Sequence, residues 1–128
     1  MHVYESVKHK TMKQITRYID SVKADITFTI GGNAQENFEI IDSAGPDDIW
    51  FHLDNLPSEH VIASIPDGTS LDKKQILKIA TQGAVLCKQY SKYASQKNLS
   101  IIYTRIKDIM KTEKLGCVIA QNQKVIVI

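Results

Sequence analysis

The sequence has few cysteines and no long hydrophobic run, and both absences narrow the class of protein. Its two cysteines, Cys87 and Cys117, lie far apart and form no C-x-x-C pair. Such thiols predict a reduced protein without a disulfide framework. No apolar stretch approaches the ~18 residues that span a bilayer. The N-terminus also lacks the apolar segment of a secretory signal. We therefore expect a cytoplasmic protein without a membrane segment.

Positive charge is absent from the middle of the chain. Residues 25–72 contain ten Asp or Glu and no Lys or Arg, whereas residues 73–128 contain eleven Lys or Arg and two acidic residues. Residues 1–24 hold five basic and two acidic residues. Within a single small domain, this segregation predicts one basic face and one acidic face. Alternatively, the acidic and basic segments pair with each other on folding.

Apolar periodicity predicts two helices and a series of strands. The spacing of Met12, Ile15, Ile19 and Val22 favours a helix in residues 1–24, appended to a domain over residues 25–128. A longer helix is expected from about Leu71 to Ala94, begun by Thr69, with an apolar arc opposite a row of lysines. Strands are predicted at residues 26–30, 49–51, 61–65, 100–105, 117–120 and 124–128, and a short helix capped by Asn33 at residues 34–41.

These elements predict an α+β fold. We expect a mixed or antiparallel sheet of about five to seven strands, with the long helix packed on one face. Gly83 falls within the apolar arc of that helix, which indicates close packing against the sheet.

Residues 47–62 are the most informative segment. They read D-D-I-W-F-H-L-D-N-L-P-S-E-H-V-I, which indicates a strand, a polar turn and a second strand. The strand contains the only tryptophan, Trp50, and two histidines, His52 and His60, flank the turn. This segment resembles the NFACT-R family, also called DUF814, which occurs in ribosome quality-control factors.

Four further motifs extend the resemblance over about residues 26–128. G-G-N-A-Q-E-N at residues 31–37 is similar to the family's G-x-N-x-x-E-N element. Ser91-Lys92 precedes Tyr103-Thr104, a basic segment with Lys107 and Lys111 follows, and residues 123–126 resemble the closing strand. The chain departs from the pattern at Ala94, where arginine is frequent. It also departs at Asp108 and Glu113, which make the basic segment less positive.

The resemblance implies a non-catalytic RNA-binding module with no cofactor, similar to the single-domain family members. It implies tRNA or ribosomal RNA as the partner, with possible ribosome association. The nucleic-acid-binding residues that we predict from the resemblance and the charge pattern are His52, His60, Lys88, Lys92, Tyr103, Arg105, Lys107 and Lys111. The residues expected to support the structure are Asn33, Glu36, Asn37, Asp48 and Trp50. We expect the lysines of the long helix and the basic residues after the next strand to share one face.

The two histidines leave other functions open. With Asp48 or Asp54 they form a candidate metal site, or they act as acid and base on a phosphoester. No further ligand or nucleophile is spaced for either role, so we expect His52 and His60 to lie at adjoining strand ends and to hold no metal. A third alternative is a protein-interaction adaptor that uses the acidic segment 25–72.

Overall fold

The computed structural model describes residues 12–128, which form an α+β fold. The strands are β1 (Lys13–Ile19), β2 (Ala24–Ile30), β3 (Ile49–Leu53), β4 (Val61–Ser64), β5 (Ser100–Arg105), β6 (Ile109–Lys111), β7 (Val118–Ala120) and β8 (Lys124–Val127). The helices are α1 (Ala34–Asp42) and α2 (Lys73–Gln89), and a 3₁₀ turn spans Ile106–Asp108. Neither helix in the described part of the chain is long and apolar enough to cross a membrane.

Six strands form one sheet in the order β1-β2-β4-β3-β5-β8, and every neighbouring pair is antiparallel. The predicted α+β class and strand number are therefore confirmed. The strand predicted at residues 117–120 exists as β7, but it does not join this sheet. It pairs with β6, which the sequence did not predict, in a separate hairpin.

The two faces of the sheet are covered by different elements because side chains alternate along each strand. Phe51 faces α2 and packs in one core with Ile79 and Leu86. Trp50 faces the other way, into a second core that holds Ile40 of α1 together with residues of the β6–β7 hairpin. The predicted close approach at Gly83 is confirmed, because a Cβ atom there would collide with the ring of Phe51.

The helix predicted within residues 1–24 is wrong where the structure describes it. Residues 13–19 form the edge strand β1, which pairs with β2; residues 1–11 lie outside the described residues. Ile15 and Ile19 both face the core that contains α2. A spacing of four places two residues on one side of a strand as well as of a helix, so this pattern did not distinguish the two.

Helix α2 is shorter than predicted at both ends. Asp72, not Thr69, is the N-cap: its carboxylate accepts from the backbone N–H of Gln75 at 2.8 Å. The Gln75 side chain in turn accepts from the backbone N–H of Asp72 at 2.9 Å, which completes a capping box. The helix ends at Gln89, and Ala94, the last residue of the predicted helix, is exposed in the turns that follow.

Candidate nucleic-acid interface

His60 lies directly before β4 and is buried, with 2% of its surface exposed. The indole N–H of Trp50 donates to its Nδ1 at 3.1 Å, so the ring proton is on the other nitrogen, which bonds to the backbone of Gly116. Burial, reinforced by the nearby ring of His52, lowers the pKa of His60 to about 3. The ring is therefore neutral and both nitrogens are engaged. Neither acid–base catalysis, metal ligation nor a charged contact with phosphate is open to His60 in this state.

The main chain of His60 is held as firmly as its ring. Its N–H donates to Oδ1 of the buried Asn37 at 3.2 Å, and its carbonyl accepts from the N–H of Gly31 at 3.0 Å. A Cβ atom at Gly31 would collide with the same Asn37 oxygen. Glycine and asparagine at these two positions of the G-x-N-x-x-E-N element thus fix α1 to the start of β4.

The other family-matching polar residues also make local bonds. Asn33 Oδ1 accepts from the backbone N–H of Glu36 at 2.9 Å, and Glu36 Oε1 accepts from the N–H of Gly32 at 2.7 Å, so the first turn of α1 is capped from both directions. Asp48 accepts from the backbone N–H groups of Gly45 and Ile65 at 2.9 and 2.8 Å. Through these bonds Asp48 joins the loop before β3 to the end of β4.

His52 lies two residues after Trp50 on β3, so both rings are on the same face of the sheet. The rings stack with centroids 5.7 Å apart and planes inclined by 17°. His52 Nδ1 is 2.6 Å from the carbonyl oxygen of Leu53, and the ring meets that of His60 edge-on at 5.0 Å. Burial lowers the pKa of His52 as well. The two imidazoles thus lie at adjoining strand ends, as predicted.

His52 faces a groove of about 620 Å³. Residues 54–58 form one side, and residues 116–118 of the β6–β7 hairpin form the other. A second pocket of about 320 Å³ adjoins the groove: both are lined by Pro57, Ser58, Gly116 and Cys117, and the second extends to Lys92. The sequence did not predict that the β6–β7 hairpin lines this groove. The residue that could have indicated it is Gly116, because its φ of +81° favours glycine and a Cβ atom there would lie 2.8 Å from Ala34.

The predicted basic residues are divided between the two ends of β5. Lys88 donates to the main-chain oxygen of Ile128 at 3.0 Å, beside the Ser100 end of the strand, and Lys92 lies near the groove. Arg105 and Lys107 lie at the other end, where Arg105 donates to the main-chain oxygen of Asp47. Five residue steps of a strand separate the ends by roughly 16 Å. Arg105 nevertheless shares the α2 face of the sheet, because its partner Ile49 packs in the core that contains α2 and Arg105 lines a pocket with Ile76 of α2. It lies far from Lys88 along β5, so these two predicted residues share a face without forming one compact patch.

Two other predicted binding residues lie elsewhere. Tyr103 is buried, with its ring centroid 6.1 Å from that of Phe51, so its faces are not open to a base. Lys111 forms an ion pair with Asp42 of α1 at 2.6 Å and lies 5.2 Å from the ring centroid of Phe38. It is therefore on the α1 side of the sheet, away from α2.

The structure instead places two cations of β1 against α2. Lys13 Nζ lies 5.0 Å from the ring centroid of Tyr90, and Arg17 Nη1 donates to Gln82 Oε1 at 3.2 Å. Neither cation was predicted as a binding residue, because the apolar spacing of this segment favoured an appended helix. We define the α2 basic surface as these two residues together with three lysines of α2 and one from the turn that follows it: Lys13, Arg17, Lys74, Lys78, Lys88 and Lys92.

Glu59 is an acidic neighbour of this surface, since it lines the second pocket together with Lys92, but acidic residues are absent from the sequence of α2 itself. Residues 73–107 contain no Asp or Glu. Among residues 12–128 the ion pair between side chains joins Lys111 to Asp42, so none of the six surface cations is paired with a described Asp or Glu side chain. Within residues 12–128, the contact between Lys111 and Asp42 therefore joins the acidic and basic segments as an ion pair.

The family of this chain follows from its sequence similarity to known proteins. Residues 14–126 match the model of the NFACT protein RNA binding domain. Coiled-coil domain-containing protein 25 is 36% identical over 89 residues in Danio rerio and 33% identical over 91 residues in Mus musculus. Each match covers 67% of this chain and 42% of the relative, so the chain spans about two-fifths of their length.

A solved structure supports the same fold. The C-terminal part of the fibronectin/fibrinogen-binding protein from Streptococcus suis has a TM-score of 0.69 and 23% identity, over 80% of this chain and 41% of that one. At this identity the likeness concerns the fold alone. Because the family model spans nearly all of the described residues, the chain belongs to the NFACT-R family of RNA-binding-type domains.

Proposed function

We propose that this domain binds RNA through the α2 basic surface. The proposal rests on six cations along α2 and its flanking strand that form no ion pair with an Asp or Glu side chain of residues 12–128, and on the absence of acidic residues between positions 73 and 107. A phosphate backbone binds to such a surface because each contact releases condensed counterions. Membership in a family of RNA-binding-type domains supports RNA as the polyanion.

We further propose that the RNA is a tRNA or a ribosomal RNA and that the domain acts without catalysis. The family resemblance supports the choice of RNA. The environment of His60 supports a binding role, since an imidazole with both nitrogens bonded and a pKa of about 3 does not shuttle protons near neutral pH. Sequencing of RNA crosslinked to the protein in cells tests the choice; recovery of messenger RNA alone would contradict it.

Charge reversal on α2 tests the binding surface. Lys74→Glu and Lys78→Glu together are expected to weaken binding of a labelled single-stranded RNA and to lower the slope of log affinity against log salt by about 1.4, or ~0.7 for each lost phosphate contact. Glutamate and lysine have similar helix propensities, so the helix should persist. Fluorescence anisotropy at several salt concentrations measures both quantities.

The matched control is Lys107→Glu with Lys111→Glu, which changes the net charge equally at positions outside the α2 basic surface. We expect this pair to leave the salt slope nearly unchanged. Equal losses from both pairs would indicate diffuse attraction and no defined surface. If the unmutated protein has no RNA affinity even at low salt, RNA binding is refuted, and the acidic segment 25–72 becomes the basis for a protein-binding alternative.

A further inference from the structure

We propose that the groove beside His52 binds one unpaired nucleobase of an RNA strand whose phosphates follow the α2 basic surface. This inference rests on the proposed function and adds how the strand is read. The place for the base is the open end of the Trp50–His52 stack.

A nucleobase can add a third ring to the stack of Trp50 and His52. Both rings line the groove, but Trp50 is only 2% exposed, whereas His52 is partly exposed. His52 is fixed between the Trp50 ring and the carbonyl of Leu53, and burial disfavours its charged form. His52 is thus a fixed, neutral aromatic ring with Trp50 stacked on one side. Its other side is a surface on which a planar ligand can stack.

The groove has the size and lining that a base requires. Its volume of about 620 Å³ lies within the ~300–1,000 Å³ of small-molecule sites. Ile102 and Val118 supply apolar contacts, while the side-chain amides of Asn55 and Gln123 line the same groove. Neither amide bonds to another group among residues 12–128, so both are available to the polar edge of a base.

A strand on the α2 basic surface has a route to this groove. The row of lysines on α2 leads to Lys92, which lines the second pocket. That pocket meets the groove at Pro57 and Cys117, which line both. When Lys92 binds a phosphate of the strand, the base of the neighbouring nucleotide can therefore enter the groove.

The test uses a labelled single-stranded oligoadenylate, an identical strand with abasic sites, and a duplex of equal length. Base–aromatic stacking is worth ~1–3 kcal/mol per base, so His52→Ala should weaken oligoadenylate binding about 5- to 150-fold with an unchanged salt slope. His52→Phe retains a stacking ring and should bind nearly as the parent does. The abasic strand and the duplex should bind the parent more weakly and should be insensitive to His52→Ala.

The fluorescence of Trp50, the only tryptophan, provides a second signal that needs no variant. It should change on addition of oligoadenylate and not on addition of the abasic strand. If oligoadenylate binds but neither His52→Ala nor removal of the bases weakens it, the base site is refuted and RNA binding stands. If adenosine monophosphate displaces the strand at equal concentration, the groove is a free-nucleotide site and the proposal is also refuted. If no strand binds at all, the proposed function itself has failed.

Discussion

The buried state of His60 predicts a specific dependence of stability on pH. The pKa of His60 is about 3 in the folded protein against an ordinary value of 6.5. The unfolded chain therefore binds a proton at this position over a range in which the folded protein does not. The contribution of the neutral His60 ring to the free energy of unfolding is fully present above pH 6.5, and it is lost as the pH falls towards 3.

The size of the effect follows from the two pKa values. Between about pH 8 and about pH 5, protonation of the unfolded chain at this one residue removes about 2 kcal/mol of unfolding free energy. Small domains have only ~5–15 kcal/mol in total, so this loss is measurable. The other acidic groups and His52 also contribute, and a comparison with a variant is required to isolate His60.

His60→Asn supplies the comparison. Its amide oxygen retains an acceptor for the indole of Trp50, and its side chain does not titrate. Urea denaturation followed by Trp50 fluorescence across this pH range should show the parent losing about 2 kcal/mol more than the variant. Parallel losses in the two proteins would refute the reasoning, as would protonation of the His60 ring near pH 6 in the folded protein, observed by NMR.

Two further predictions follow from the core and from the imidazole pair. Gly83→Ala should cost ~1–3 kcal/mol in urea denaturation, because the new methyl group meets the ring of Phe51; Gly45→Ala is the control, since its Cβ would have only an ordinary contact at 3.8 Å with Asp48. Equal costs for the two substitutions would contradict the close packing of α2 on the sheet. Calorimetric titration with zinc should show no stoichiometric binding, because both nitrogens of His60 are engaged; one equivalent bound with micromolar affinity would contradict this.

The sequence predicted most strands and α2 because their signals are local. β2 and β3 follow from short runs of β-branched and aromatic residues, and α2 from an apolar arc sustained over five turns. The position of Asn33 as a helix cap was equally local, since the cap bonds to a residue only three positions away. The order and spacing of the motifs predicted membership in the NFACT-R family, which the family model confirms.

The prediction of an N-terminal helix failed because the deciding contact is distant in sequence. Ile15 and Ile19 fit a strand or a helix, and only pairing with β2 selects the strand. β6 is a strand for a similar reason, since it is defined by its partner β7. Short strands such as these acquire their conformation from tertiary hydrogen bonds and not from intrinsic propensity.

The sequence by itself determined the family, the α+β class, the segregation of charge and the importance of the segment around Trp50. Only the tertiary structure decided which cations share a surface, because that depends on strand order: β1 carries Lys13 and Arg17 to α2, while the fold leaves Lys111 beside α1. It also decided the roles of the two histidines. The depth of burial and the bonds to Trp50 and Gly116 make His60 a structural residue, and neither is encoded in the spacing of the histidines along the chain.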